Sequence, residues 1–135
     1  MGMFDSFRIS ASGMTAQRLW MDVVAENLAN TNTTRGADGQ PYKRKEIVLA
    51  QTPGTFDSAL QGVQVSAIVD DPTPGNRVYD PGHPDADKQG YVTMPNVTPV
   101  TEMVDLISAS RGYEADTQAM NAARSMFLKA LEVLR

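Results

Sequence analysis

Apolar and polar positions follow two rhythms in this chain, a heptad rhythm at both ends and a period-two rhythm in the middle. In the first 30 residues, Phe4, Ala11, Arg18 and Ala25 alternate at spacings of three and four with Phe7, Met14, Met21 and Leu28. Near the C-terminus, Leu106, Tyr113, Met120, Phe127 and Leu134 alternate in the same way with Ala109, Asp116, Ala123 and Ala130. Sustained seven-residue periodicity keeps one stripe of a helix facing a partner helix along its whole length. Both ends are therefore expected to be long helices, paired as an antiparallel coiled coil. With Leu28 set opposite Leu106, Met21 meets Tyr113, Met14 meets Met120, Ala11 meets Ala123 and Phe7 meets Phe127. That register also sets Arg18 opposite Asp116, a pair expected either within one chain or between neighbouring chains. A paired charge in a seam can fix register, whereas an unpaired one is costly. The alternative is that Arg18 lays its stem along the seam and sends its head into water. These facing positions, with Leu134 at the far end, are the expected helix-helix and assembly interface.

The pattern divides the chain into an N-terminal helix over 1–30, a central region over 31–97 and a C-terminal helix over 98–135. Asp5 is expected as N-cap of the first helix, with Phe4 stapled onto Ile9. Asn30-Thr31-Asn32-Thr33-Thr34 should stop that helix, with Asn in the left-handed cap position. Tyr42–Leu49 and Val63–Val69 read as strands, the second by strict alternation, and Gly90–Met94 as a short third. Between the first two, Pro53-Gly54 marks a loop. Residues 71–87 carry Pro72, Pro74, Pro81 and Pro84 and read as an extended surface loop. Thr98 as N-cap and Pro99 at the first helical position give the last helix a sharp start. Gly112 inside it costs about 1 kcal/mol of helix propensity, which implies a bend or a close approach by another backbone. The fold class is mainly α with a small β-rich insertion.

A two-helix hairpin buries only one stripe of each helix. Ile9, Trp20, Val23, Val24, Val104, Ile107, Met126, Leu128 and Val133 lie off the seam. Helices that are apolar on more than one face belong in a bundle, and one chain supplies too few helices to complete it. Association is the expected remedy.

Composition narrows the function. The 135 residues are 41% hydrophobic and carry a formal net charge of −4 with a pI near 4.8. That balance argues against a nucleic-acid binder, and the lone basic run Lys43-Arg44-Lys45 reads as a solvated turn or strand edge. The absence of cysteine excludes thiol catalysis, disulfides and cysteine-ligated zinc. No apolar run reaches the ~20 residues that span a bilayer. The N-terminus also lacks the continuous apolar core of a cleavable signal peptide. The chain is thus expected to be cytoplasmic or exported by a route that does not read such a signal.

Candidate chemistry is sparse. His83 is the single histidine, and Asp80, Asp85 and Asp87 surround it. Their spacing matches neither an EF-hand loop nor a helical zinc motif, and Asp with Pro is ordinary turn composition. No catalytic, cofactor or metal site is expected, and the eight methionines read as adaptable packing.

Leu28-Ala29-Asn30-Thr31-Asn32-Thr33-Thr34 resembles the Asn-rich motif that ends the first helix of bacterial flagellar rod and hook proteins. Three further blocks stand in the matching order: Ser12-Gly13-Met14-Thr15-Ala16-Gln17-Arg18, Tyr79 to Asp87 with Gly90-Tyr91-Val92 and Pro95-Asn96-Val97, and Glu102 to Ile107 with Ser110-Arg111-Gly112-Tyr113-Glu114-Ala115. The block containing His83-Pro84 is the more specific and points to the proximal rod of the basal body. Asp116 departs from the motif, where Asn is the family's usual residue.

The resemblance implies a structural protein whose terminal helices form one assembly domain and polymerise into a helical tube in the periplasm. Its implied partners are copies of itself, other flagellar rod proteins, basal-body components and the flagellar type III export apparatus. It implies neither a nucleic acid nor a cofactor. Two other readings share parts of the pattern: a coiled-coil adaptor or secreted regulator forming a closed oligomer, and a small hydrolase or metal enzyme built on His83.

Overall fold

The computed structural model describes residues 3–52 and 62–133, with side chains from residue 5 onward. In chain order it contains α1 (Met3–Ala29), β1 (Lys45–Gln51), β2 (Val63–Asp70), β3 (Arg77–Tyr79), β4 (Tyr91–Thr93) and α2 (Pro99–Val133). Two long helices with a small β-rich insertion are what the periodicity implies. The Phe4 staple, the Pro53-Gly54 loop and Leu134 lie outside the described side chains.

Helix α1 is already helical at Met3, so Asp5 stands in its first turn and not at the N-cap. There its carboxylate complements the positive end of the helix dipole and lies 3.5 Å from the Arg8 guanidinium. The far end also differs from expectation, because no described non-glycine residue has positive φ. Side chains close the helix instead. The Asn30 amide group donates to the Glu26 carbonyl at 2.9 Å, and the Thr31 hydroxyl donates to the Leu28 carbonyl at 2.8 Å. These bonds satisfy carbonyls that would otherwise end the helix unpaired.

Strands β1 and β2 form an antiparallel hairpin running from the Lys45–Asp70 pair to the Gln51–Val63 pair, with a bulge between Val48 and Leu49. β1 starts three residues later than the sequence pattern suggests because Tyr42 and Arg44 are bonded elsewhere. The Tyr42 amide donates to the Thr33 carbonyl at 3.0 Å, and the Arg44 amide donates to Asn96 Oδ1 at 2.7 Å. The hairpin lies lengthwise on α1. At its far end the Ser12 hydroxyl accepts from the Val63 amide at 3.1 Å. The alternation in β2 does not bury a face, since Val63, Ile68 and Val69 all stay exposed and only Val65 is half-buried.

The stretch expected as loop over 71–87 contains strand β3, which pairs antiparallel with β4. Tyr79 and Tyr91 sit opposite each other there, ring centroids 5.3 Å apart in an edge-to-face contact. A cross-strand aromatic pair holds the short ribbon where three-residue strands alone would not. Helix α2 starts at Pro99 as expected, its first backbone bond running from the Glu102 amide to the Thr98 carbonyl at 3.1 Å.

Most of the buried apolar core consists of small side chains: Ala16, Val23 and Val24 of α1, Val92 and Val97 before α2, and Ala109 and Ala123 within it. Many larger apolar side chains remain outside it.

Candidate assembly interface

The α1–α2 seam is antiparallel, but its register is slipped by more than one helical turn from the Leu28–Leu106 alignment. Small residues set the slip. A Cβ at Gly112 would stand 2.7 Å from Gln17 Nε2, and one at Gly13 would stand 2.5 Å from Asp116 Oδ2. Each glycine therefore receives a side chain of the other helix where any larger residue would collide. The close approach at Gly112 is made by a side chain and not by backbone. One turn along, the Thr117 hydroxyl points to Met14 Sδ at 3.4 Å. The face of α1 turned to α2 carries Gly13, Ala16, Gln17, Val24 and Asn27, leaving Ala11, Arg18 and Ala25 exposed.

Asp116 thus meets Gly13 within the chain, and no ion pair joins it to Arg18 among the described residues. Of the two expected placements of this pair, the close approach of the glycines removes the one within the chain and does not bear on the one between neighbours. The remaining expected interface positions divide by burial. Ala123 is buried, Phe7, Met14, Met21, Leu28, Leu106, Asp116, Met120 and Phe127 are half-buried, and Tyr113 is exposed.

A buried polar clamp fixes the end of the seam. Asn27 and Glu102 are 1% and 0% exposed. Asn27 Nδ2 donates to Glu102 Oε2 at 3.0 Å and to the Lys45 carbonyl at 2.9 Å. Its Oδ1 accepts from the Lys45 amide and from the Tyr42 hydroxyl, both at 2.9 Å. Asn27 therefore acts as a strand-like partner to Lys45 while tying α1 to α2. Arg44 reaches into the same junction, its guanidinium contacting Glu102, Asp105 and Glu46. A buried carboxylate is tolerated only when paired and hydrogen-bonded, and Glu102 is both.

The electrostatics follow from this geometry. Burial alone would lower the Arg44 pKa, but the hydrogen bond and charge of Glu102, with Glu46, outweigh it and raise it above the ordinary value. Burial, with the negative charges of Glu26, Asp70 and Glu102, pushes the Tyr42 phenol up to about 12. It stays a hydroxyl donor to Asn27 over the whole neutral range.

The sequence pattern missed this clamp. Arg44 was hidden in a basic run that looked like a solvated turn. One signal was present: extending the Ala109, Asp116, Ala123 ladder back by seven reaches Glu102.

Around His83 the polar groups hold the loop to itself and, through Asp85, to the segment after α1. His83 Nδ1 accepts from the Asp85 amide at 3.1 Å, and the Asp80 carboxylate accepts from the Gly82 amide at 3.1 Å. Asp85 accepts from the Thr34 hydroxyl at 2.8 Å, and Asp87 accepts from the Gln89 and Tyr91 amides. The Thr34 bond ties this loop to the segment after α1, and the others are local turn bonds of the kind these residues make with nearby backbone.

The two helical ends are also where family resemblance is found. The family described as "Flagella basal body rod protein" matches residues 7–37, and the one described as "Flagellar basal body rod FlgEFG protein C-terminal" matches residues 88–133. Three relatives named "Flagellar basal-body rod protein FlgC" extend the likeness to the entire chain. That of Borreliella burgdorferi is 44% identical over 100% of this chain and 99% of its own. That of Bacillus subtilis is 48% identical over 96% and 97%, and that of Salmonella typhimurium 43% identical over 97% of each. The chain belongs to the FlgC family. As a FlgC-family member it is a structural subunit of the bacterial flagellar basal-body rod and not an enzyme. Among the described residues, no helix of this FlgC-family chain is long and apolar enough to cross a membrane.

Proposed function

We propose that this FlgC-family chain is a proximal-rod subunit that polymerises helically with copies of itself and with other rod proteins through α1 and α2. The supporting observation is the apolar surface left on the outward faces of α2, where Val104, Ile107, Met126 and Leu131 are exposed. A small core and exposed apolar faces describe a subunit completed by its neighbours. The expected seam residues take part in that surface: Phe7, Met14, Met21, Leu28, Leu106, Met120 and Phe127 are only half-buried within the chain. The chain reaches the periplasm through the flagellar type III export apparatus without a cleaved signal peptide.

Met120→Asp tests the assembly role by placing a carboxylate in a layer that neighbours would dry. Burial of an unpaired charge costs several kcal/mol, repeated in every subunit. Basal bodies from cells making this variant should lack the rod beyond this subunit, while the exported chain is still detected outside the inner membrane. Intact rods containing the variant would overturn the reading. Mass spectrometry of the chain from wild-type basal bodies should show an uncleaved N-terminal helix.

A further inference from the structure

Two apolar features of this fold face away from each other and fit each other's chemistry. The first is a stripe on α2. Val100, Met103, Val104 and Ile107 are 71%, 52%, 56% and 54% exposed. Their i, i+3, i+4, i+7 spacing is that of a helix presenting anchors to a groove. The stripe lies across the helix from Glu102, Ala109 and Asp116, so it points away from α1. One turn beyond Ile107 on the same face stands the exposed Arg111.

The second feature is a cleft of about 230 Å³ between α1, β1 and the start of α2. Trp20, Val23, Val24, Ile47 and Leu49 form its apolar walls, and Glu46 and Asp105 stand on its border. It is below the ~300–1,000 Å³ of small-molecule sites, and suits side chains better than a ligand. Its charge is unbalanced. One guanidinium, Arg44, faces the three carboxylates of Glu46, Glu102 and Asp105, while Lys45 is taken up by Glu26. An occupant bringing a cation beside its apolar anchors would be favoured over a neutral or acidic one.

We propose that the cleft of one copy receives the Val100–Ile107 stripe of a second copy, with Arg111 of that copy set against Glu46 and Asp105. The stripe supplies apolar anchors at helical spacing, and Arg111 supplies the cation that the cleft lacks. Because stripe and cleft lie on different faces of one chain, the contact is head-to-tail. Such an interface does not consume itself in a dimer; it continues into a ring or an open helix. The inference rests on the assembly role proposed above and names the partner surface within it.

The test exploits the absence of cysteine from the sequence. A Leu49→Cys chain and an Ile107→Cys chain are produced together, and basal bodies are isolated and oxidised. A disulfide-linked dimer joining the two variants, absent when either is produced alone, is the expected result. Basal bodies that contain both variants without this heterodimer would overturn the contact, while leaving a rod subunit that assembles through other faces. Charge exchange gives a second readout that does not depend on thiol geometry. Arg111→Glu should reduce incorporation into basal bodies several-fold, and adding Glu46→Arg in the same chain should restore most of it. Unchanged incorporation of Arg111→Glu, or no restoration by the second change, would also count against the contact.

Discussion

The side-chain amide of Gln17 lies over the bare Cα of Gly112, close enough that a Cβ there would stand 2.8 Å from Gln17 Cδ. This contact and its counterpart at Gly13 settle how the two helices slide past each other. A Leu-on-Leu seam would hold the axes apart, whereas glycine lets a side chain of the facing helix settle onto the backbone. The same site holds the one buried side-chain atom without a hydrogen-bond partner among the described residues, Gln17 Oε1.

Substitution at this contact should be strongly non-additive. Gly112→Ala gains about 1 kcal/mol of helix propensity. In the wild-type background, however, the new methyl displaces Gln17 from its place. In a Gln17→Ala background the propensity gain should appear nearly in full. A double-mutant cycle by denaturant unfolding is expected to return a coupling of about 0.5–3 kcal/mol, unfavourable where the new methyl and the Gln17 side chain are present together. Additivity within about 0.3 kcal/mol would mean that the helices do not meet here.

The two helices and the first two strands were legible because the period of the apolar pattern reports the type of element, even where, as in β2, it buries no face, and the blocks of both helices and of the loop around His83 carried the family resemblance. Register was not. The heptad ladders align in several ways, and opposite charges at Arg18 and Asp116 selected one that the glycines at 13 and 112 override. Glycine carries no hydrophobic signal, so a seam built on it is invisible to apolar counting. Strand β3 was hidden by the prolines around it, although Arg77-Val78-Tyr79 contains none. The Asn27–Glu102–Arg44 clamp joins segments distant in sequence, and its members look individually like surface residues.

That clamp should be costly to break from either side. Glu102→Ala removes the acceptor of Asn27 Nδ2 and of Arg44 Nε. Arg44→Ala leaves the fully buried Glu102 carboxylate without its cation. Removing one partner of a buried pair typically costs about 3–5 kcal/mol, and each variant should lose stability on that scale in urea unfolding. Asp105→Asn, at a more exposed position, should cost no more than about 1 kcal/mol. A loss from Asp105→Asn as large as that from Glu102→Ala would show that the weight of the clamp lies elsewhere.

Tyr42 gives the clamp a measurable pH signature. Its phenol is raised from the ordinary 10.0 to about 12. The folded chain therefore holds this proton more tightly than the unfolded chain does. The resulting stabilisation is fully present below pH 10 and is lost as pH rises from there towards about 12. Ultraviolet titration of the four tyrosines should show one phenolate forming last. Tyr42→Phe should remove that late step, at a cost of about 0.5–1.5 kcal/mol for the lost hydrogen bond to Asn27. If the late step survives in Tyr42→Phe, another tyrosine is responsible.

Arg18 separates folding from assembly. It is exposed, and Asp116 is occupied at Gly13 within the same chain. Arg18→Asp should therefore leave the stability of the isolated chain within about 0.5 kcal/mol of wild type, as for most surface changes. In the rod the outcome differs if Arg18 of one copy approaches Asp116 of the next, because reversal then sets two carboxylates face to face. Incorporation into basal bodies should fall. Adding Asp116→Arg should recover part of the loss, since the long side chain can leave Gly13 uncovered and carry its charge outward. Recovery in the rod combined with unchanged monomer stability places the pair between neighbours. Full incorporation of Arg18→Asp alone would instead leave Arg18 with its head in water, and the seam held by its small residues.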